Sequence, residues 1–350
     1  MKVFGLLIFV FMCGELCAQL HFSEGISTSK ELGMCAPGIN NKSRSRGFDF
    51  SYTYINGGDF RDAALDSYTP KSLESLSRLH FKLKAPLINR PNFKLLLGFS
   101  HEKEAFTFAF ASPSSTFSSG FSPTSSLPKV SSVFNDVHSK QMTSSGVGLY
   151  AVKPIDASRY TALRLKVAYN GDYDQLINFE SRYRSISGTW AYVYKKHEDF
   201  EWGFGVSFNS NFRRSLALPF ILYNRNFNEK WGIESVFPAM IQVRRNLNNK
   251  TILLGGYTFN SRNYSVDKDN GPGNNPAIYH LNHSELQFGL SLERQIAPWI
   301  WLNTKAGFQY NFNTRLEATN PEFNSYQVKP PHTPYFSVGI FLSPPDSMMK

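Results

Sequence analysis

Stretches of about ten residues that alternate apolar and polar side chains recur along this chain, and a tilted strand needs that length to cross a bilayer. Phe48, Phe50, Tyr52 and Tyr54 alternate with Asp49, Ser51 and Thr53; Leu79, Phe81 and Leu83 alternate with His80, Lys82 and Lys84. Leu163, Leu165, Val167 and Tyr169 are interleaved with Arg164, Lys166 and Asn170, and Trp202, Phe204, Val206 and Phe208 with Gly203, Gly205, Ser207 and Asn209. The pattern returns where Leu286, Phe288, Leu290 and Leu292 face Glu285, Gln287, Ser291 and Glu293, and again over 300–312 against Asn303, Lys305, Gln309 and Asn311. Alternate side chains of a strand point to opposite faces, so each stretch makes one apolar and one polar surface.

A soluble sandwich also buries one face of each sheet. Two features favour a membrane barrel instead. Lys and Arg stand opposite apolar residues at segment centres, and aromatics gather near segment ends (Tyr52, Tyr54, Tyr169, Trp202, Trp231, Trp299, Trp301, Phe312), as interfacial girdles require. After the N-terminus no apolar run reaches the roughly 18 residues of a spanning helix. The predicted fold is all-β: a transmembrane antiparallel β-barrel of 12–14 strands over residues 46–343.

Lys2, the apolar run 3–12 and the small Ala18 before Gln19 read as an export signal, residues 1–18, cleaved after Ala18. Neither Cys13 nor Cys17 has the flanking residues of a lipoprotein signal. Cleavage leaves Cys35 as the one cysteine, which rules out an intramolecular disulfide and a Cys-rich metal site. The net charge of +10 survives, since Lys2 and Glu15 leave together. Basic residues are scattered rather than clustered, so nucleic acid is not an expected partner. Residues 19–45 are expected to be an N-terminal periplasmic segment and 344–350 a C-terminal tail.

Barrels of this kind join strands by short periplasmic turns and longer external loops. Long gaps fall at 57–73, 113–141, 171–186, 265–281 and 313–332, and short ones near Leu87-Ile88-Asn89-Arg90, Pro154-Ile155-Asp156-Ala157, Lys196-His197-Glu198-Asp199 and Ala297-Pro298. The stretches 113–141 and 265–281, rich in turn formers, are expected to be external. Between 201 and 264 three consecutive gaps are short, giving an odd tally of about thirteen strands. Splitting 231–246 at Pro238 makes fourteen; reading one segment as loop makes twelve. Pro219 and Pro238 are expected at bulges or strand ends.

The central stretch, Leu218-Pro219-Phe220, Lys230-Trp231-Gly232-Ile233, Phe237-Pro238, Arg244 and Leu254-Gly255-Gly256, resembles an uncharacterised family of Gram-negative outer-membrane β-barrels catalogued as a domain of unknown function. The resemblance implies a barrel in the cell outer membrane, surrounded by lipid and lipopolysaccharide and placed by the insertion machinery, and it implies no activity. In one respect the chain departs from many barrels: Phe341-Leu342 is followed by Ser343 to Lys350 rather than ending on an aromatic residue.

If the apolar faces meet lipid, His80, Lys82, Lys84, Lys94, Arg164, Lys166, Arg244, Glu285 and Lys305 line the lumen, along with Asp49, Glu234 and Glu293. Two fillings satisfy this pattern: a salt-bridge network that packs a narrow barrel, or a water-filled passage favouring a small anionic solute. A passive channel or transport component and a structural or surface-interaction barrel both stay open. His283 and Glu285 share a face, but no cofactor or metal is expected. His138-Ser139 offers no nucleophile–base pair, since adjacent residues cannot converge, and no catalytic motif appears, so an enzyme is not expected and a lipid-acting one is the third reading.

Overall fold

The computed structural model describes residues 34–35, 37–61, 70–110, 133–212, 214–268, 277–312, 314–320 and 325–343. The export signal, most of the 113–141 stretch and the 344–350 tail lie outside them. The strands are β1 (Phe48–Asp59), β2 (Ser72–Arg90), β3 (Phe93–Ala109), β4 (Met142–Pro154), β5 (Arg159–Gly171), β6 (Arg184–His197), β7 (Phe200–Asn211) and β8 (Arg214–Asn226). There follow β9 (Trp231–Phe237), β10 (Met240–Asn248), β11 (Thr251–Lys268), β12 (Ala277–Gln295), β13 (Ile300–Asn311), β14 (Thr314–Ala318), β15 (Tyr326–Val328) and β16 (Thr333–Leu342). Among the described residues a short α-helix, α1 (Val133–Ser139), precedes β4.

Fourteen of these strands close an antiparallel ring, β1–β13 in sequence and then β16, which pairs with β13 on one side and β1 on the other. The pair β14–β15 stands outside the ring and extends the upper end of β12. Pro238 does split 231–246: β9 ends at Phe237, β10 begins at Met240, and Ala239 N–H closes the turn on the Val236 carbonyl at 2.8 Å. The even count places the start of β1 and the end of β16 at one end of the barrel, where every connection is short (91–92, 155–158, 198–199, 227–230, 249–250, 296–299). We call this the turn end and the other the loop end.

The three short gaps that confuse a sequence tally follow from an uneven rim. At the loop end β7–β8 and β9–β10 are joined by only 212–213 and 238–239, so β6–β10 form a low panel between β5 and β11, in contrast to the 19-residue β2 and β12 elsewhere in the ring. Pro219 corrects the expectation of a bulge: it pairs with Val206 in unbroken register. Since β9 reaches β8 only from Ile221 onward, Pro219 has β7 alone beside it, an edge position that tolerates a missing donor. The 87–90 turn is likewise corrected to 91–92, and 265–281 shrinks to 269–276, because β11 and β12 pair as far as Lys268 and Ala277.

β11 is more than a wall strand. Its pairing with β10 stops at Thr258, whereas its ladder with β12 continues, and Ser265 pairs in parallel with Gly171 of β5. The upper half of β11 thus crosses the mouth behind the low panel and closes a narrower ring. Residues 172–183 fasten it there: Lys140 Nζ donates to Asp172 at 3.1 Å and to the Asp267 carbonyl at 2.8 Å, and Arg182 donates to Asp267 at 2.6 Å.

Outside, the apolar faces form a continuous belt that includes Tyr52, Leu83, Leu149, Leu165, Phe204, Ile221, Phe288 and Ile340, all exposed. Trp190, Trp202, Trp231 and Trp299 also face outward. Trp301 does not. It is buried inside against Ile252, Leu254 and Phe341, because its parity in β13 is that of Asn303 and Lys305, not of Phe308 and Tyr310.

Candidate functional site

The lumen is filled in layers. Within the narrower upper ring, Leu73 and Leu76 of β2, Phe106 and Phe108 of β3, Tyr264 and Val266 of β11 and Tyr279 and Leu281 of β12 point inward and form an apolar core. Phe134 and Val137 of α1 complete it, and His138 Nδ1 accepts the Phe108 N–H at 2.9 Å, holding the helix in the mouth.

Beneath lies a crossbeam of ion pairs. Arg78 of β2 donates to Glu104 of β3 and, at 3.1 and 3.3 Å, to both oxygens of Glu285 on β12. Arg262 of β11 donates to Glu102 at 2.7 Å and Glu285 at 2.9 Å. Tyr264 Oη donates to Glu104 at 3.0 Å, and His283 Nε2 lies 3.1 Å from the same oxygen. Strands from opposite sides of the ring are joined here, and nearly every carboxylate oxygen has a donor, which buried charges require.

Below the crossbeam is a chamber of about 440 Å³. Its walls are hydroxyls, amides and cations: Ser51, Thr53, Ser187, Thr189, Asn209 and Asn303 among the neutral groups, and His80, Lys82, Lys84, Arg164, Lys166 and Lys305 among the basic ones. Among the described residues nine Lys and Arg side chains line it against three carboxylates, Asp49, Glu102 and Glu293.

The chamber floor is the N-terminal segment. Residues 37–46, all but the last within the segment 19–45 expected to be periplasmic, run across the turn-end mouth as a strap. Gly38 N–H donates to Glu201 at 2.9 Å, Asn40 N–H to the Glu198 carbonyl at 2.9 Å, and Ser43 N–H to Glu234 at 2.8 Å. Arg46 donates to Asp49 at 2.6 Å and to Glu293, with its guanidinium 4.4 Å from the Phe341 ring centre. Arg44 lies 5.0 Å from the ring centre of Trp301. Glu201, Glu234 and Glu293 sit on three separate wall strands, so acceptors around the mouth hold one segment in place.

Cys35, just before the strap, is packed with Tyr160, Val193 and Phe220, and burial pushes its thiol up to about 11. In the chain without residues 1–18 it is the sole thiol. At pH 8 only about a thousandth of it is thiolate, against roughly a quarter for a free cysteine, so a maleimide is expected to label it at least 100-fold more slowly than it labels the unfolded chain. Labelling rates within a few-fold of each other would show that the strap is not seated.

A family model matches residues 129–343, from α1 to the end of β16. The chain belongs to the family described as Domain of unknown function (DUF6268). The match covers more than half of the chain and includes the Leu218–Gly256 region whose residues carry the resemblance. No curated protein matches this DUF6268 chain. Among solved structures it is similar to the β domain of the Bordetella autotransporter BrkA, at 9% identity and TM-score 0.30, covering 85% of this chain and 100% of that one. It is also similar to the Pseudomonas putida toluene transporter TodX (8%, 0.33, 85% and 90%) and to the translocator domain of the Neisseria meningitidis autotransporter NalP (9%, 0.26, 86% and 90%).

Of the nine lumen residues expected from the DUF6268 sequence, His80, Lys82, Lys84, Arg164, Lys166 and Lys305 meet at the chamber. Glu285 belongs to the crossbeam. Arg244 is at the floor, donating to Glu234 at 3.0 Å and to Asn226, and Lys94 is buried on the inward face of β3 near the turn end. His280 and His283 part company: His283 points to Glu104, and His280 faces the other way, stacked on Phe212 at 4.6 Å. Among the described residues no group of His, Cys, Asp and Glu is arranged to hold a metal ion. Sequence reasoning missed the strap altogether. Its one signal was that Arg44 and Arg46 have no strand pattern of their own, yet precede a barrel whose lower lumen carries Glu201, Glu234 and Glu293.

Proposed function

We propose that this chain is an outer-membrane barrel that takes a small solute into a closed chamber, a gated transport component rather than a permanently open channel. One observation carries the reading: the lumen holds a polar cavity of about 440 Å³ that is floored by residues 37–46 and roofed by an apolar core. Barrels that only brace a membrane have no need of a solvated, charged cavity, and the size is that of a small-molecule site. Connections that are all short at one end, and long at the other except over the low panel, support a turn end in the periplasm and loops outside, with lipid and lipopolysaccharide around the belt. The excess of cations favours anionic solutes. The crossbeam favours a second reading, a packed barrel that never conducts, with its function in the external loops.

Conductance in planar bilayers separates them. Wild type is expected to open rarely, since floor and roof must both yield, and a variant lacking residues 37–46, in which only the roof has to yield, to carry at least about tenfold higher mean current, with anions preferred in a salt gradient. Silence from both proteins, each inserted and folded, would sink the transport reading and leave the packed barrel.

A further inference from the structure

The cations of the chamber are not spread evenly; four of them share one patch of wall. Across the hydrogen-bond rows of β2 to β5, Lys84 stands opposite Gly98, Gly98 opposite Gly148, and Gly148 opposite Lys166. Two lysines therefore flank two glycines on the inward face. In the row nearer the loop end come Lys82, Ser100, Gly146 and Ala168; in the row nearer the turn end come Leu96, Tyr150 and Arg164. These three rows contain no carboxylate.

The glycines shape the patch. A methyl group built on Gly98 would fall 2.7 Å from a Tyr150 ring carbon, and one on Gly146 would fall 2.6 Å from Lys166 Cε. The ring and the lysine stem thus lie flat along the wall instead of filling the chamber. Lys84 Nζ and Arg164 Cζ are 5.0 and 5.3 Å from the Tyr150 ring centre, so the ring holds both cations beside it. Next door on β6, Ser187 stands opposite Lys166 and Thr189 opposite Arg164, adding hydroxyl donors.

Nearby carboxylates are shared with other cations. Asp49 and Glu293 are bonded to Arg46, Glu102 to Arg262, and Glu104 and Glu285 to the crossbeam arginines. Even with Glu104 and Glu285 added to the three lining carboxylates, nine lining cations face five anions. Like charges confined in a space of low dielectric repel one another, and an anion seated among them removes that cost.

We propose that Lys82, Lys84, Arg164 and Lys166 form a binding site for a doubly charged oxyanion: a phosphoryl group, free or carried by a small solute. The forked guanidinium, the ammonium groups and the hydroxyls match an anion with several acceptor oxygens better than they match a carboxylate or chloride. A chamber larger than bare phosphate leaves room for the rest of a solute. The proposal rests on the closed-chamber reading only in requiring that the solute reach the lumen.

Calorimetric titration and thermal unfolding of the purified full barrel in a zwitterionic detergent test it. Inorganic phosphate and glycerol phosphate are expected to bind and to raise the melting temperature, while acetate and chloride at matched ionic strength are not. Lys84→Gln and Lys166→Gln are each expected to weaken phosphate binding by about tenfold or more. They are also expected to raise the melting temperature of the ligand-free barrel, because each relieves repulsion; lysines that merely fill space would give a lower melting temperature and unchanged phosphate binding. Phosphate acting no differently from acetate, or variants that keep wild-type affinity, would overturn the site. A short-chain phosphatidic acid arm separates a lipid headgroup from a solute: binding of that lipid without binding of glycerol phosphate overturns the proposal. If phosphate binds while the strap-deleted barrel stays silent, the site stands and the transport reading falls. Raised mean current in the strap-deleted barrel without phosphate binding reverses that outcome.

Discussion

Leu165→Arg is expected to abolish assembly of the barrel into lipid vesicles, whereas Lys166→Gln, one residue along, assembles normally. Leu165 faces outward in the middle of β5 and is 49% exposed, while Lys166 lines the chamber. A cation on the lipid face near the midplane costs about 2–4 kcal/mol, a large part of the margin by which a domain is folded. Heat-modifiable migration on gels, which separates folded from unfolded barrels, reads both variants. Normal assembly of Leu165→Arg with failure of Lys166→Gln would mean that the faces are reversed, and the chamber chemistry would fall with them.

Glu104→Ala is expected to be the most damaging single change inside the lumen. Glu104 is fully buried and is shared by Arg78, Arg262, Tyr264 and His283. Its loss leaves two buried guanidinium groups with fewer acceptors, and breaking a buried ion pair from one side costs about 3–5 kcal/mol. The denaturant midpoint should fall accordingly, and replacing Arg78 with Met in the same chain should restore part of it by removing the stranded charge. A midpoint within error of wild type for Glu104→Ala would show that the crossbeam is too wet to matter.

Most of the barrel was legible because lipid imposes one rule on every strand. In the belt, parity alone decides the face, so Leu163, Leu165 and Val167 could be set outward and Arg164 and Lys166 inward from the sequence. Strand number was recoverable too, since Pro238 marks the turn that makes the count even. Legibility failed where both faces are apolar. Phe106 and Phe108 have the same parity as Lys94, Glu102 and Glu104, and following that parity past the belt places them in the lumen, whereas hydrophobicity by itself points to lipid. Trp301 misled for the same reason. The chamber residues were individually legible as lumen-facing, but not their grouping, which depends on the register that sets Lys84, Gly98, Gly148 and Lys166 in one row. The crossing of β11 rests on contacts between residues far apart in sequence, among them the parallel pair of Gly171 and Ser265, 94 positions apart, and no local pattern encodes it.

The strap also dictates an order of events. Gly38 finds Glu201, Ser43 finds Glu234 and Arg46 finds Glu293 across 163, 191 and 247 residues. Delivered from its N-terminus, the chain presents the strap first, long before the strands that carry those acceptors have arrived and closed into a cylinder. Contacts of such long range form late. The segment that precedes every strand is therefore the last to settle, and until it does the nascent cylinder stands open at its turn end.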